Sequence, residues 1–127
     1  GVYADLLSDK MAEHGATAWL INTGWSGGSY GVGSRMKIKY TRAMLNAALD
    51  GDLDDVSYTT DARFGFEVPT SCPNVPEEIL QPRSTWEDSA AFDSTADKLA
   101  SMFLDNFNRY TDGVSDDVNA AAPTPVA

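Results

Sequence analysis

Between Asn22 and Ser34 the chain places Gly24, Gly27, Gly28, Gly31 and Gly33, half of its ten glycines. No helix or strand tolerates that density, because every glycine adds backbone freedom that regular structure must freeze out. The stretch therefore reads as a loop whose backbone turns sharply or approaches something closely. Ahead of it, Ala18-Trp19-Leu20-Ile21 is a short apolar run bounded by turn residues, the pattern of a buried strand. Behind it, Arg35, Lys37 and Lys39 alternate with Met36, Ile38 and Tyr40. A period of two predicts a half-buried strand over 35–40.

The remaining segments supply helices and two more short strands. Tyr3, Leu6, Leu7 and Met11 recur at helical spacing over Val2 to His14, and Gly15 ends the pattern. Thr41 to Leu49 predicts a second helix, with Met44, Leu45, Ala48 and Leu49 on one face and Gly51 at its end. Val56–Thr60 and Phe64–Val68 are β-type runs, the second halted by Pro69. Prolines 73, 76 and 82 mark an extended connection around a short turn at 77–80. Phe92, Ala96, Leu99, Ala100, Phe103, Leu104 and Phe107 form the strongest helical stripe, running to about Tyr110. From Thr111 the chain is polar, then rich in Ala and Pro, and is expected to be disordered. Short strands with about three helices give an α/β class. So thin a sheet needs neighbours on both faces, and the start at Gly1 agrees with a piece of a larger α/β domain.

Charge and residue counts narrow the chemistry. With 19 acidic and 9 basic residues the net charge is −10, which argues against coating nucleic acid or an anionic membrane. No run approaches the roughly 18 apolar residues of a membrane span, and no charged-then-apolar leader opens the chain. The single Cys72 excludes an intrachain disulfide and suits a reducing compartment. The lone His14 sits in an ordinary amphipathic helix, so neither a zinc cluster nor a Ser-His-Asp triad is expected.

One electrostatic feature stands against the acidic background. Arg35, Lys37, Lys39 and Arg42 are four of the nine basic residues, crowded directly behind the glycine loop. Backbone N–H groups of such a loop beside cationic side chains suit a phosphate-type anion. A solvated strand face with alternating lysines fits the same residues equally well. Gly28-Ser29-Tyr30-Gly31-Val32-Gly33 has Walker A spacing, but Ser34 and Arg35 follow where Lys and Ser/Thr are required. Gly31-Val32-Gly33 opens a dinucleotide fingerprint that fails at Met36. Asp50, Asp52 and Asp54 echo a calcium loop, yet Asp55 occupies its glycine position and Asp61 its terminal glutamate position. The residues alone support a small acidic module holding an anion, or an interaction segment with no catalysis.

A resemblance adds what these patterns do not. The strings 3–11, Ala18-Trp19-Leu20-Ile21-Asn22-Thr23-Gly24-Trp25, Arg35-Met36-Lys37-Ile38-Lys39-Tyr40-Thr41-Arg42-Ala43, Phe64-Gly65-Phe66-Glu67-Val68-Pro69-Thr70 and Ile79-Leu80-Gln81-Pro82-Arg83 resemble ATP-dependent phosphoenolpyruvate carboxykinases, as does the helix 99–110. The resemblance implies that residues 1–110 are the C-terminal portion of that family's P-loop-containing, nucleotide-binding domain, with 111–127 as a tail. It implies a cytoplasmic gluconeogenic lyase converting oxaloacetate and ATP to phosphoenolpyruvate, CO2 and ADP, with Mg2+ on the nucleotide and Mn2+ as second metal. The family's P-loop, metal ligands and substrate arginines lie outside this segment, so catalytic and metal residues are expected elsewhere in the enzyme chain. By motif, Arg35, Met36 and Thr41 are implied to line the adenine pocket. There a guanidinium lies against the purine face, Met36 fills an apolar wall, and the Thr41 hydroxyl bonds a ring nitrogen. Thr41 is equally placed to cap the following helix. Many family members have Gly-Lys-Arg where this chain has Gly33-Ser34-Arg35, and its loop between Trp25 and Arg35 is longer than in shorter bacterial versions.

Overall fold

A computed structural model describes residues 2–22 and 24–126. Among the described residues, five α-helices, one 3-10 helix and two separate two-stranded antiparallel sheets make up a small mixed α/β assembly. In chain order these are α1 (Val2–His14), β1 (Trp25–Ser26), β2 (Ser34–Arg35), α2 (Ile38–Asp50), β3 (Tyr58–Thr60), β4 (Glu67–Pro69), α3 (Glu77–Leu80), a 3-10 helix (Pro82–Thr85), α4 (Ser89–Phe107) and α5 (Asp116–Ala120). The count of helices exceeds the three expected, because 77–80 closes a helical turn and the tail contributes α5.

Helix α1 ends as its glycine dictates. Gly15 takes φ +61°, and the Ala16 N–H reaches back to the Met11 carbonyl at 3.1 Å, closing the orphan acceptors of the last turn. Its apolar positions are not covered, with Leu6 and Leu7 53% and 60% exposed. The expected strand over 18–21 is absent. Those residues are irregular and make no backbone hydrogen bond to another segment among the described residues; Trp19 instead packs its ring 6.4 Å from Tyr58.

The expected strand over 35–40 is also corrected. Only Arg35 belongs to a strand; Lys37 is the last extended residue (φ −67°, ψ 131°), and α2 begins at Ile38. Six alternating residues are too few to separate a two-residue period from the irregular entry of a helix. The buried side of α2 is likewise one step from the expected face. Ala47 is buried, and Tyr40, Ala43, Met44 and Ala48 pack around the core, whereas Leu45 and Leu49 face outward. Gly51 at φ +80° ends the helix, donating to the Ala47 carbonyl.

Leu53, Cys72, Val75 and Leu80 join Ala47 in the core. They come from the irregular connections that follow α2 and β4, and from α3. The β3–β4 hairpin occurs where the sequence predicts β structure, with Tyr58 opposite Pro69 and Thr60 opposite Glu67. Its turn is shaped by Asp61, whose carboxylate accepts the N–H groups of Arg63 and Phe64 at 3.0 and 2.7 Å. Helix α4 starts earlier than its apolar stripe, because the Asp88 side chain caps the N–H groups of Ala90 and Ala91. The segment after Thr111, for which composition predicts disorder, holds α5 and returns to the body through Thr124 N–H to the Arg63 carbonyl at 2.7 Å.

The described surface is large for the mass. The chain exposes 9368 Å2, against about 6,600 Å2 for a compact monomer of this size. The apolar sides of α1 and α4 contribute to the difference, with Tyr3, Leu6, Leu7, Leu99, Met102 and Phe103 all exposed.

Candidate functional site

The glycine-rich stretch is a hairpin rather than a plain loop. Trp25 pairs with Arg35 and Ser26 with Ser34, and the Met36 N–H bonds the Gly24 carbonyl at 3.0 Å beyond the ladder. At its tip, the N–H groups of Val32 and Gly33 both reach the Ser29 carbonyl, at 3.0 and 2.9 Å. Gly33 has no alternative here: a Cβ would sit 2.5 Å from the Gly28 oxygen and 2.6 Å from the Ser26 oxygen. The density of glycine therefore reflects one chain folding tightly against itself.

Beside this hairpin lies an open cleft of about 380 Å3, lined by Ser26, Ser34, Arg35, Lys37 and Tyr40 on one side and Pro76, Glu78, Ile79 and Thr85 on the other. Its lining carries two cations, one carboxylate, hydroxyls and an apolar wall. Arg35 and Lys37 make no ion pair among the described residues. Lys39 is differently engaged, its ammonium lying 4.8 Å from the centre of the Tyr40 ring.

Of the three residues implied by the resemblance, Arg35 lines the cleft, whereas Met36 and Thr41 do not. Met36 is half-buried at the junction between hairpin and helix, and Thr41 lies half-buried one turn into α2. The capping role considered for Thr41 is excluded by position, because the N-cap of α2 is Lys37. The Thr41 hydroxyl makes no hydrogen bond among the described residues and stays available for another partner.

A phosphate cradle fits the hairpin less well. The N–H groups of Gly24, Gly27, Val32, Gly33 and Met36 are already donated within the protein and are not offered to an incoming anion. No group of three His, Cys, Asp or Glu side chains converges as metal ligands among the described residues. The donor set of the described residues does not suit Mg2+ or Mn2+.

The far wall of the cleft was not readable from sequence. Thr85, Glu78 and Pro76 arrive from some forty residues downstream, where only proline spacing and a short turn mark the chain.

The family model described as Phosphoenolpyruvate carboxykinase matches residues 1–78. The chain belongs to the phosphoenolpyruvate carboxykinase (ATP) family. Proteins of that name from Ruegeria pomeroyi and Paracoccus denitrificans are 57% and 56% identical over 121 residues, covering 95% of this chain and 23% of theirs. One from Pelobacter propionicus is 54% identical over 117 residues, covering 92% of this chain and 22% of its own. The segment thus spans less than a quarter of the relatives it matches. The matched region includes the hairpin, α2 and the cleft residues up to Glu78. No described helix is long and apolar enough to cross a membrane.

Proposed function

We propose that this chain is the C-terminal portion of an ATP-dependent phosphoenolpyruvate carboxykinase, and that it supplies the adenine end of the ATP site. The observation that carries this reading is Arg35 lining an open cleft with no ion pair among the described residues, on a segment whose family uses ATP by name. Residues 1–110 complete the P-loop-containing nucleotide domain, and 111–127 extend beyond it. The whole enzyme would convert oxaloacetate and ATP to phosphoenolpyruvate, CO2 and ADP in the cytoplasm, in the service of gluconeogenesis. Loss of CO2 leaves its electron pair as an enolate, whose oxygen takes the γ-phosphoryl group while ADP leaves. Mg2+ on the nucleotide and Mn2+ as second metal are held by residues elsewhere in that chain.

The part assigned to this segment is positional. Arg35 lies against the purine face from the cleft, while Met36 at the hairpin–helix junction and the Thr41 hydroxyl one turn into α2, both outside the cleft lining, supply an apolar wall and a bond to a ring nitrogen. Holding the base fixes the far end of a long, flexible substrate, so that the reacting phosphorus is delivered in register with the enolate. The excess apolar surface supports the same view, since α1 and α4 need the remainder of the enzyme to cover them.

The test is kinetic and uses the full-length enzyme. Arg35→Ala is expected to raise KM for ATP about tenfold with KM for oxaloacetate unchanged, and to narrow the preference for ATP over GTP. Equal use of ATP and GTP by the unsubstituted enzyme would overturn the adenine assignment. A response to tripolyphosphate as strong as to ATP would favour the smaller anion-binding reading instead.

A further inference from the structure

We infer that Thr85 is a positioning residue for the nucleotide, holding the β1–β2 hairpin so that Arg35 faces the cleft; this rests on the adenine-end reading above. A ribbon of two residue pairs is marginal by itself in water. Something outside it must fix its place. The Thr85 hydroxyl accepts the Gly27 N–H at 3.0 Å and the Ser26 hydroxyl at 3.3 Å, and donates to the Pro82 carbonyl at 2.7 Å. A hydroxyl has one donor and two acceptor sites, and all three are used.

The attachment is close as well as polar. Gly27 sits at φ +78°, and a Cβ there would lie 3.0 Å from the Thr85 carbonyl oxygen. The residues that Thr85 grips, Ser26 and Gly27, continue directly from Trp25, the ladder partner of Arg35. Thr85 is itself anchored from behind. Arg83 in the same 3-10 helix makes two short bonds to Asp93 of α4, and the Trp86 ring meets Phe92 edge-on at 5.6 Å. A chain of contacts therefore runs from α4 through Thr85 into the hairpin and ends at the backbone of Arg35.

The experiment compares full-length carboxykinase with its Thr85→Val, Thr85→Ser and Arg35→Ala variants, reading KM for ATP, KM for oxaloacetate and kcat. Valine keeps the shape and removes the three bonds; serine keeps the bonds. Thr85→Val is expected to raise KM for ATP about fivefold, with kcat and KM for oxaloacetate within about twofold, and Thr85→Ser to restore it. A merely structural role would lower the active fraction, and so kcat, without moving KM for ATP. An unchanged KM for ATP in Thr85→Val, alongside a raised one in Arg35→Ala, overturns this inference and leaves the adenine reading standing. If neither variant moves it, the adenine reading falls and takes the inference with it. Should Thr85→Val fail to fold, Ser26→Ala removes one of the three bonds, and a KM for ATP unchanged in it overturns the inference.

Discussion

Arg63 donates from Nε to Asp97 Oδ1 at 2.7 Å, joining the β3–β4 turn to the middle of α4 through side chains only 12% and 13% exposed. The same guanidinium reaches the Asp93 carboxylate at 3.4 Å, and Asp93 is in turn gripped by Arg83. This network fastens the wall that carries Thr85 to the rest of the segment. Truncating Arg63 takes the guanidinium away from a nearly buried carboxylate that keeps the Val126 N–H at 2.9 Å, so Arg63→Ala is expected to cost about 2 kcal/mol in urea unfolding of the full-length protein. Arg63→Lys keeps the charge but loses the fork, and should recover only part of it.

Acid should loosen the same network at a predictable point. The Arg83 guanidinium, bonded to Asp93 and aided by Arg63, holds the Asp93 carboxyl below its ordinary value of 3.8. The folded state therefore binds this proton less readily than the unfolded chain. Its contribution to stability is complete above about pH 4 and fades as the pH falls through the lower, folded value. NMR titration of the Asp93 carboxyl should place its midpoint below 3.8, and Arg83→Ala should move it upward.

Gly33→Ala is expected to open the hairpin. The added methyl meets three backbone atoms of Ser26 and Gly28 within 2.8 Å, and none of them is a flexible side-chain end. The cost is on the order of 3 kcal/mol, seen as rapid proteolytic cutting between Trp25 and Arg35 and as weaker ATP binding. Gly31→Ala is a useful contrast, since nothing lies within 4 Å of its Cβ and only its φ of +92° is strained.

Cys72 should be slow to react. Burial, and secondarily Asp52, raise its thiol above its usual value, so little thiolate forms near neutral pH. Labelling by a disulfide reagent at pH 8 is expected to lag that of the urea-unfolded protein by more than about tenfold. Equal rates would show that the core around Leu53 and Val75 opens freely.

Purified as it stands, the segment should show no carboxykinase turnover, and its exposed apolar helices should bind a hydrophobic dye such as ANS more strongly than the full-length enzyme does. Measurable turnover by the segment alone would contradict the positional role assigned to it.

Where the chain's structure is local, the residues announce it. Gly15 and Gly51 mark the ends of α1 and α2 because only a left-handed residue closes those helices, and Pro69 closes β4. Where structure depends on partners, they do not. Ala18–Ile21 has the composition of a buried strand but no ladder partner among the described residues, and Ile38, apolar and alternating, is 69% exposed in the first turn of α2. Arg35 was legible as part of a basic cluster beside glycines. Thr85 was not, because a threonine between a serine and a tryptophan carries no sign that its hydroxyl meets Gly27, 58 residues away in sequence.

The junction from β2 into α2 sets different tolerances on its two sides. At the hairpin tip the Tyr30 ring meets Trp25 edge-on at 5.2 Å, but Gly31 faces open space, so residues added beside Gly31 leave the pairing of Trp25 with Arg35 intact. Beyond Arg35 there is no such slack. One residue inserted between Met36 and Ile38 would turn Thr41 by about 100° around the helix axis. Natural variation in length is therefore expected to collect at the tip, while the count from Arg35 to Thr41 stays fixed across organisms.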